Sequence, residues 1–377
     1  MNERRSGLLV VLLLCALSCV GCAKDSRAVF TESVGAGAVA LPLQESRGEA
    51  GVLTKKILEP EIVEFTVSAA GDVTLGNAQV QGYEGTFREM YDKKRDPGYF
   101  LRNVKPIFEA DDMTIVNFEG TLTFSDNRVE KKFNMKGDPE YVSILTVGSV
   151  ETVSLGNNHH MDYGQKGHDD TVAALEGAGI PYAFDSQVGY YEAKGVKLGF
   201  VSVNEVYDGK KVETYLKDGI TQLRAEGMDL VIACCHWGIE THHDTTAYQQ
   251  ELGRKCIDWG ADLVLGHHPH VLQGIECYNG KYIVYSLGNF CFGGNTNPSN
   301  KDSMIFQQTF TFVNGKKRED DNIRIIPCSV SSVKSRNDYQ PTLAKGTEAE
   351  RIITLINQYS REFEVAFDID GRLINTP

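Results

Sequence analysis

The stretch IVEFTVSAAGD, residues 62–72, decides how the rest of the chain reads. Ile62, Val63, Phe65, Thr66 and Val67 are β-branched or aromatic, so the segment predicts a strand. It runs directly into Gly71-Asp72, which places a carboxylate where a strand becomes a loop. Four further clusters repeat the pattern downstream. They are Asn117-Phe118-Glu119, Asn157-Asn158-His159 with Asp162, His236-Trp237-Gly238 with Glu240, and Gly266-His267-His268-Pro269-His270. Strands are predicted before them at Met113–Asn117, Thr152–Leu155, Asp229–Cys235 and Ala261–Leu265, with another at Val196–Val203. Between these strands the spacing predicts helices over Pro97–Ala110, Pro139–Val147, Gly167–Ala178, Lys217–Glu226 and Asp244–Trp259. Strands alternating with helices predict an α/β domain whose sheet is at least partly parallel.

The remainder changes character. Val271–Cys277 and Lys281–Leu287 flank Asn279-Gly280, a strong hairpin signal. Strands over Ile305–Val313 and Ile323–Val330 extend an antiparallel part. Ile352, Ile353, Leu355, Ile356, Tyr359 and Phe363 then give Glu348–Phe363 the spacing of an amphipathic helix. The resulting division is a leader over 1–22, a flexible tether over 23–60, a main domain over 61–331 and a C-terminal segment over 332–377.

Composition narrows the function classes. The 377 residues are 41% hydrophobic and 24% charged, which is ordinary for a globular protein with a sizeable core. A formal charge of -13 argues against a nucleic-acid partner, because phosphate backbones call for clustered Lys and Arg. An anionic ligand must instead meet local positive charge, from bound metal or from a few basic side chains such as Lys136.

The first residues read as an export signal. Arg4 and Arg5 precede an apolar run from Leu8 to Leu17, and small residues follow. The run ends in Ser18-Cys19-Val20-Gly21-Cys22, which resembles the lipobox of bacterial lipoproteins. That resemblance implies a lipid anchor on Cys22, with Cys19 or a plainly cleaved signal as alternatives, and an extracytoplasmic domain at the membrane or cell surface. The six cysteines beyond the leader lack zinc-type C-x-x-C spacing, and the sequence requires no disulfide.

The chemistry of the five clusters is clearest when they are taken together. Singly, Gly-Asp after a strand is common, and a lone His is more often structural than a ligand. In combination, carboxylate, amide and imidazole donors at successive strand ends suit a pair of divalent ions, which need a bridging carboxylate and further O and N ligands. The donors suit Mn, Fe or Zn, and the scarcity of thiolates argues against a structural zinc site.

The sequences Ala70-Gly71-Asp72-Val73, Asn117-Phe118-Glu119-Gly120, Gly156-Asn157-Asn158-His159, His236-Trp237-Gly238-Ile239-Glu240, Gly266-His267-His268-Pro269-His270 and Ser286-Leu287-Gly288-Asn289 together resemble the CapA family. These are capsule and poly-γ-glutamate synthesis proteins, a branch of the calcineurin-like metallophosphoesterase superfamily. The resemblance covers residues 62–295. It implies a four-layer α/β/β/α sandwich, with Asp72, Glu119, Asn158, His236, His268 and His270 as metal ligands. Glu119 takes the bridging position and His159 the catalytic one. Asp162 either orients an imidazole or orders its loop, while Asn117 and Glu240 are expected in orienting roles. His267 falls at a variable position of the pattern. Thr74 replaces the His of the superfamily's Asp-x-His, which leaves one metal position a ligand short. The implied activity is metal-dependent hydrolysis of a phosphoester or related bond in an anionic polymer, poly-γ-glutamate or capsular polysaccharide. The other possibility is a non-hydrolytic part in a complex with membrane polymer synthase subunits.

Overall fold

The computed structural model describes residues 43–47, 53–57, 59–319 and 322–375. The export segment and its Cys19 and Cys22 lie outside them. Within the segment read as a tether, Leu43–Arg47 and Leu53–Ile57 pair antiparallel with each other. From Pro60 onward the chain forms one unit.

Two sheets organise that unit. In the first, Ile62–Thr74, Met113–Phe118, Thr152–Ser154 and Tyr182–Ala183 run parallel, and Asp302–Val313, Ile323–Ser329 and Thr342–Leu343 add antiparallel strands on the other side of Ile62–Thr74. In the second, Val196–Asn204, Leu230–His236, Leu263–His267 and Lys281–Val284 are parallel, and an antiparallel strand closes each edge. The edge hairpin turns at Asn279-Gly280, where both residues have positive φ (50° and 69°), as the dipeptide predicts.

Side-chain alternation makes the layers. Val67, Ala69, Ile115, Phe200, Ile232 and Leu265 meet in a core between the sheets. Their neighbours Ala70, Val116 and Val153 face outward to Phe100, Leu145 and Leu175. On the other side, Val231, Ala233 and Val264 face Leu216, Ile220 and Leu252 of the helices Val212–Ala225 and Ala247–Trp259. The architecture is therefore an α/β/β/α sandwich of four layers. The C-terminal helix Thr347–Tyr359 adds Ile352, Ile353 and Ile356 to the central core. Near the carboxyl ends of their strands the sheets are joined by a buried hydrogen bond between the Ser154 and Ser202 hydroxyls, 2.8 Å, and by Gly156 N–H donating to Ser202 Oγ.

One predicted helix differs from the sequence expectation. The helix over Pro97–Ala110 is split into Gly98–Leu101 and Lys105–Phe108. Pro106 has no N–H to offer the Arg102 carbonyl, and Asn103 in the gap turns its amide to Gln340 and Thr342. No disulfide forms among the described residues, and both Cys234 and Cys235 are buried small hydrophobes. No helix among the described residues is long and apolar enough to cross a membrane.

The strand quoted at the outset contains an irregularity that aims the site. Ala70 pairs with Val116, but the next pair is Asp72 with Asn117, so Gly71 is an extra residue in its strand. Such a bulge shifts the alternation by one residue. Phe65, Val67 and Ala69 point between the sheets, whereas Ala70 and Val73 point outward. Asp72 is thereby returned to the inner side, opposite Asn117. Gly71 also lets the chain at Gly288 pass close by, since a Cβ there would lie 1.9 Å from the Gly288 carbonyl oxygen. Asp72 N–H donates to that same oxygen at 2.9 Å. Gly71→Ala is therefore expected to lower stability by about 3 kcal/mol in urea unfolding. Gly177→Ala, where nothing lies within 4 Å of the new methyl, should stay within about 0.5 kcal/mol of wild type. Equal effects in the two variants would show that the crossing at Gly288 imposes no constraint.

Candidate metal centre

The parallel strands of both sheets deliver their carboxyl ends to one place, and the residues at those ends converge. Asp72 ends the quoted strand, and Glu119 lies just past Met113–Phe118. Asn158 and His159 follow Thr152–Ser154, and His236 and His267 end adjacent strands as a register pair. His268 and His270 stand on the loop beyond, each with positive φ (93° and 59°).

Hydrogen bonds fix one side of Asp72, His159 and His270 and leave the other facing inward. Asp72 Oδ1 accepts from Asn117 Nδ2 at 2.8 Å, and Oδ2 lies 3.1 Å from His270 Nδ1. His270 Nδ1 is also 2.9 Å from Asn289 Oδ1, so its proton is placed there and Nε2 faces Glu119. His159 Nδ1 is 2.7 Å from Asp162 Oδ2. The carboxylate accepts a hydrogen bond from Nδ1–H, which again leaves Nε2 toward Glu119. His236 Nε2 is 3.1 Å from Asn158 Oδ1. The rings of His236 and His268 lie 4.8 Å apart. Asn157 braces the turn, donating from Nδ2 to Phe118 O at 2.7 Å and accepting the His159 N–H on Oδ1 at 3.0 Å.

Glu119 is the group without support. It is fully buried and neither carboxylate oxygen has a hydrogen-bond partner. Three imidazoles stand around Oε1 beyond hydrogen-bond reach: His159 Nε2 at 3.7 Å, His236 Nε2 at 3.8 Å and His270 Nε2 at 3.9 Å. Leaving a buried acceptor unsatisfied costs about 1–3 kcal/mol, and more when it is charged. A cation among these groups removes that cost. Asp72, Glu119 and His270 each offer a ligand atom, all within 4.8 Å of one another. The imidazole, carboxylate and amide donors fit Mn, Fe or Zn.

The electrostatics show the same tension. Burial pushes the Glu119 carboxyl up to about 8; the charge of His270 opposes this, and Asp72, Asp162 and Glu240 add to it. Burial also acts to raise Asp72, yet hydrogen bonds and charge from His267 and His270 hold it well below the usual carboxylate range. For His270, burial works downward but Glu119 and Asp72 prevail, raising it to about 10. Burial and the neighbouring His270 charge bring His268 down to about 4, and burial and His268 hold His236 well below the imidazole range. Burial lowers His159 against the opposing pull of Asp162.

The eight residues expected at the site are all present around this space, with Asp162 behind His159 rather than facing Glu119. Thr74 is buried on the inner side, its hydroxyl without a partner. His267, at the variable position of the pattern, has its Nδ1 3.4 Å from Asp72 Oδ1. Lys136 is engaged elsewhere, with Asp126 at 2.9 Å. Sequence reasoning missed Lys131, whose Nζ reaches Asp162 Oδ1 at 2.5 Å and the Asn158 carbonyl at 2.9 Å. A lone Lys in a polar loop carries no signal of such a role. Asn289 clamps His270 through both its side-chain oxygen and its Nδ2, which donates to His270 O.

Comparison with known proteins places this geometry. A family profile described as bacterial capsule synthesis protein PGA_cap matches residues 66–294. The PGA biosynthesis protein CapA of Bacillus subtilis (strain 168) is 31% identical over 252 residues, 60% of this chain and 63% of that protein. The capsule biosynthesis protein CapA of Bacillus anthracis is 27% identical over 271 residues, 64% of this chain and 63% of that protein. The chain thus spans less than two thirds of the length of these two relatives. Among solved structures, a hypothetical protein from Thermus thermophilus aligns with a TM-score of 0.44 at 18% identity, covering 70% of this chain and 99% of that one. The profile takes in more than half of the chain, from the strand that carries Asp72 to the turn after Phe292. The chain belongs to the bacterial capsule synthesis protein family.

Proposed function

We propose that the chain is a lipid-anchored, extracytoplasmic metal-dependent hydrolase of capsule or poly-γ-glutamate biosynthesis, acting on a phosphoester or related bond of an anionic polymer. The observation that carries this reading is the Glu119 carboxylate, buried without a hydrogen bond among three imidazoles. Asp72, Glu119 and His270 would hold one divalent ion, and Glu119, Asn158, His236 and His268 a second. Such ions act as Lewis acids on the scissile group and make water a nucleophile at neutral pH.

The chain's own residues supply proton movement and orientation. Burial keeps the His159 imidazole neutral, and Asp162 holds its Nδ1 proton. Nε2 is then free to take a proton from the attacking water and to pass it to the departing oxygen. Lys131 and the Met135 N–H both bind the Asp162 carboxylate, so the ring is held from behind. Asn117 orients Asp72, and Asn289 orients His270.

A second reading keeps the metal but not the hydrolysis. The matched relatives are named for biosynthesis, and a protein of Mycobacterium tuberculosis, 25% identical over 291 residues, is named a probable polyglutamine synthesis accessory protein. On that reading the domain is a component of a complex with membrane polymer synthase subunits.

Three outcomes are expected. Purified protein loaded with Mn, Fe or Zn should carry up to two ions per chain by elemental analysis, and Glu119→Gln should lose them. In chelator the same variant should melt no lower than wild type, because a neutral amide needs no cation. Absence of bound metal in wild type under every loading condition would sink the metal-centre reading. His159→Ala should retain metal while turnover of a phosphodiester such as bis(p-nitrophenyl) phosphate, or of polymer, falls roughly 10²–10⁴-fold. Metal-loaded wild type that is inert on these substrates but co-purifies with synthase subunits would favour the second reading. Finally, Cys22→Ser should abolish palmitate labelling and move the protein out of the membrane fraction. Loss in Cys19→Ser instead would assign the anchor to Cys19.

A further inference from the structure

Glu240 stands on the loop after His236 in a place that an orienting role does not explain. Its carboxylate and the rings of His268 and His270 offer ligand atoms that all lie within 4.8 Å of one another. This triplet shares His270 with Asp72 and Glu119, so it is continuous with the buried part of the centre. Glu240 itself is exposed, whereas His268 is 5% exposed and its Nδ1 is buried without a hydrogen-bond partner.

The juxtaposition is built into the backbone. Thr241 N–H donates to Pro269 O at 2.8 Å, tying the residue after Glu240 to the residue between the two histidines. His242 closes the same loop, its Nδ1 lying 2.8 Å from the Glu240 carbonyl. Positive φ at Gly238 and Thr241 (83° and 63°) turns the chain back over the histidine loop. The backbone of this loop therefore holds one further carboxylate against the histidines of the centre.

We propose that Glu240 is a direct metal ligand, acting with His268 and His270 at the open side of the centre. This rests on the metal-centre reading above. An exposed carboxylate stays solvated when no ion is present, unlike Glu119, so the ion it helps to hold is the weaker and the first to exchange. Its ligand set also differs from the buried one in lying within reach of an incoming polymer.

The test is calorimetric titration of the full chain, stripped with chelator, with Mn²⁺, and Co²⁺ absorption spectra as a second readout of ligand identity. Wild type should take up two ions. Glu240→Gln should show the weaker affinity lowered at least roughly tenfold, or its stoichiometry reduced to one, with an altered Co²⁺ spectrum. Glu251→Gln, which removes an exposed carboxylate paired with Lys255, should leave both readouts unchanged. Unchanged affinity, stoichiometry and spectrum in Glu240→Gln, with wild type still binding metal, would overturn this assignment alone. A wild type that binds neither ion would overturn the metal centre itself.

Discussion

A carboxylate held in the interior with no donor in reach sets the terms for everything around it. Glu119 is such a group, and its three nearest imidazoles are each committed elsewhere. His159 is bonded to Asp162, His236 to Asn158, and His270 to Asn289 with Asp72 beside it. Because those bonds fix the rings, the histidines cannot swing in to satisfy Glu119, and the separations of 3.7–3.9 Å persist as a gap among potential ligands. A protein that needed only stability would close this gap with an apolar residue, since buried charge is costly unless compensated. The cation of the proposed metal centre would account for keeping it open.

The architecture supplies that gap through strand ends rather than through any one element. Parallel strands in both sheets terminate on the same side, and the Ser154–Ser202 bond joins the sheets there. Alternation directs His236 and His267 inward from the second sheet, in the same parity as Cys234 and Leu265 of the central core. The first sheet would fail to match, because Asp72 follows Ala70 at a spacing that points outward. The bulge at Gly71 corrects the parity, and the strand Asn289–Phe292 pairs beside it in register with Asp72. One glycine thus couples the crossing of two chain segments to the aim of a site carboxylate.

The donors are legible in the sequence because their types are chemically distinctive and recur after recognisable strands. Asp72, Glu119, Asn158, His159, His236, His268 and His270 are each readable as possible ligands from residue type and position, and the α/β alternation predicts a partly parallel sheet; the catalytic place of His159 and the four layers follow from the family resemblance. What the sequence conceals depends on contacts between distant segments. Gly71 reads as a turn residue, yet its role follows from Gly288, far along the chain. Lys131 lies in an irregular loop with no periodicity, so only the folded structure shows it against Asp162 and Asn158. The split at Arg102–Val104 has one sequence signal, Pro106, and the helical pattern of the flanking residues masks it. The helix Thr347–Tyr359 shows its apolar stripe in sequence, while the surface receiving it, the core between the sheets, does not show.

Burial is graded across the site, and the grading bears on how an anionic ligand reaches it. Asp72 and Glu119 are wholly inaccessible, the His159 and His270 side chains are 9% and 17% exposed, and Glu240 is open to solvent. A chain of formal charge -13 repels a polyanion at long range. Attraction must therefore come from short-range cations, screened less by salt where they are partly buried. Lys131, behind His159, has its charge already committed to Asp162. On the proposed reading, bound divalent ions would be the main source of positive potential for a polymer to meet. Their number and their ligands, more than the fold's own charges, would then decide whether such a polymer is held at all. A carboxylate at the rim would tune that balance directly, because each added anionic ligand strengthens ion binding while reducing the net charge offered to the polymer.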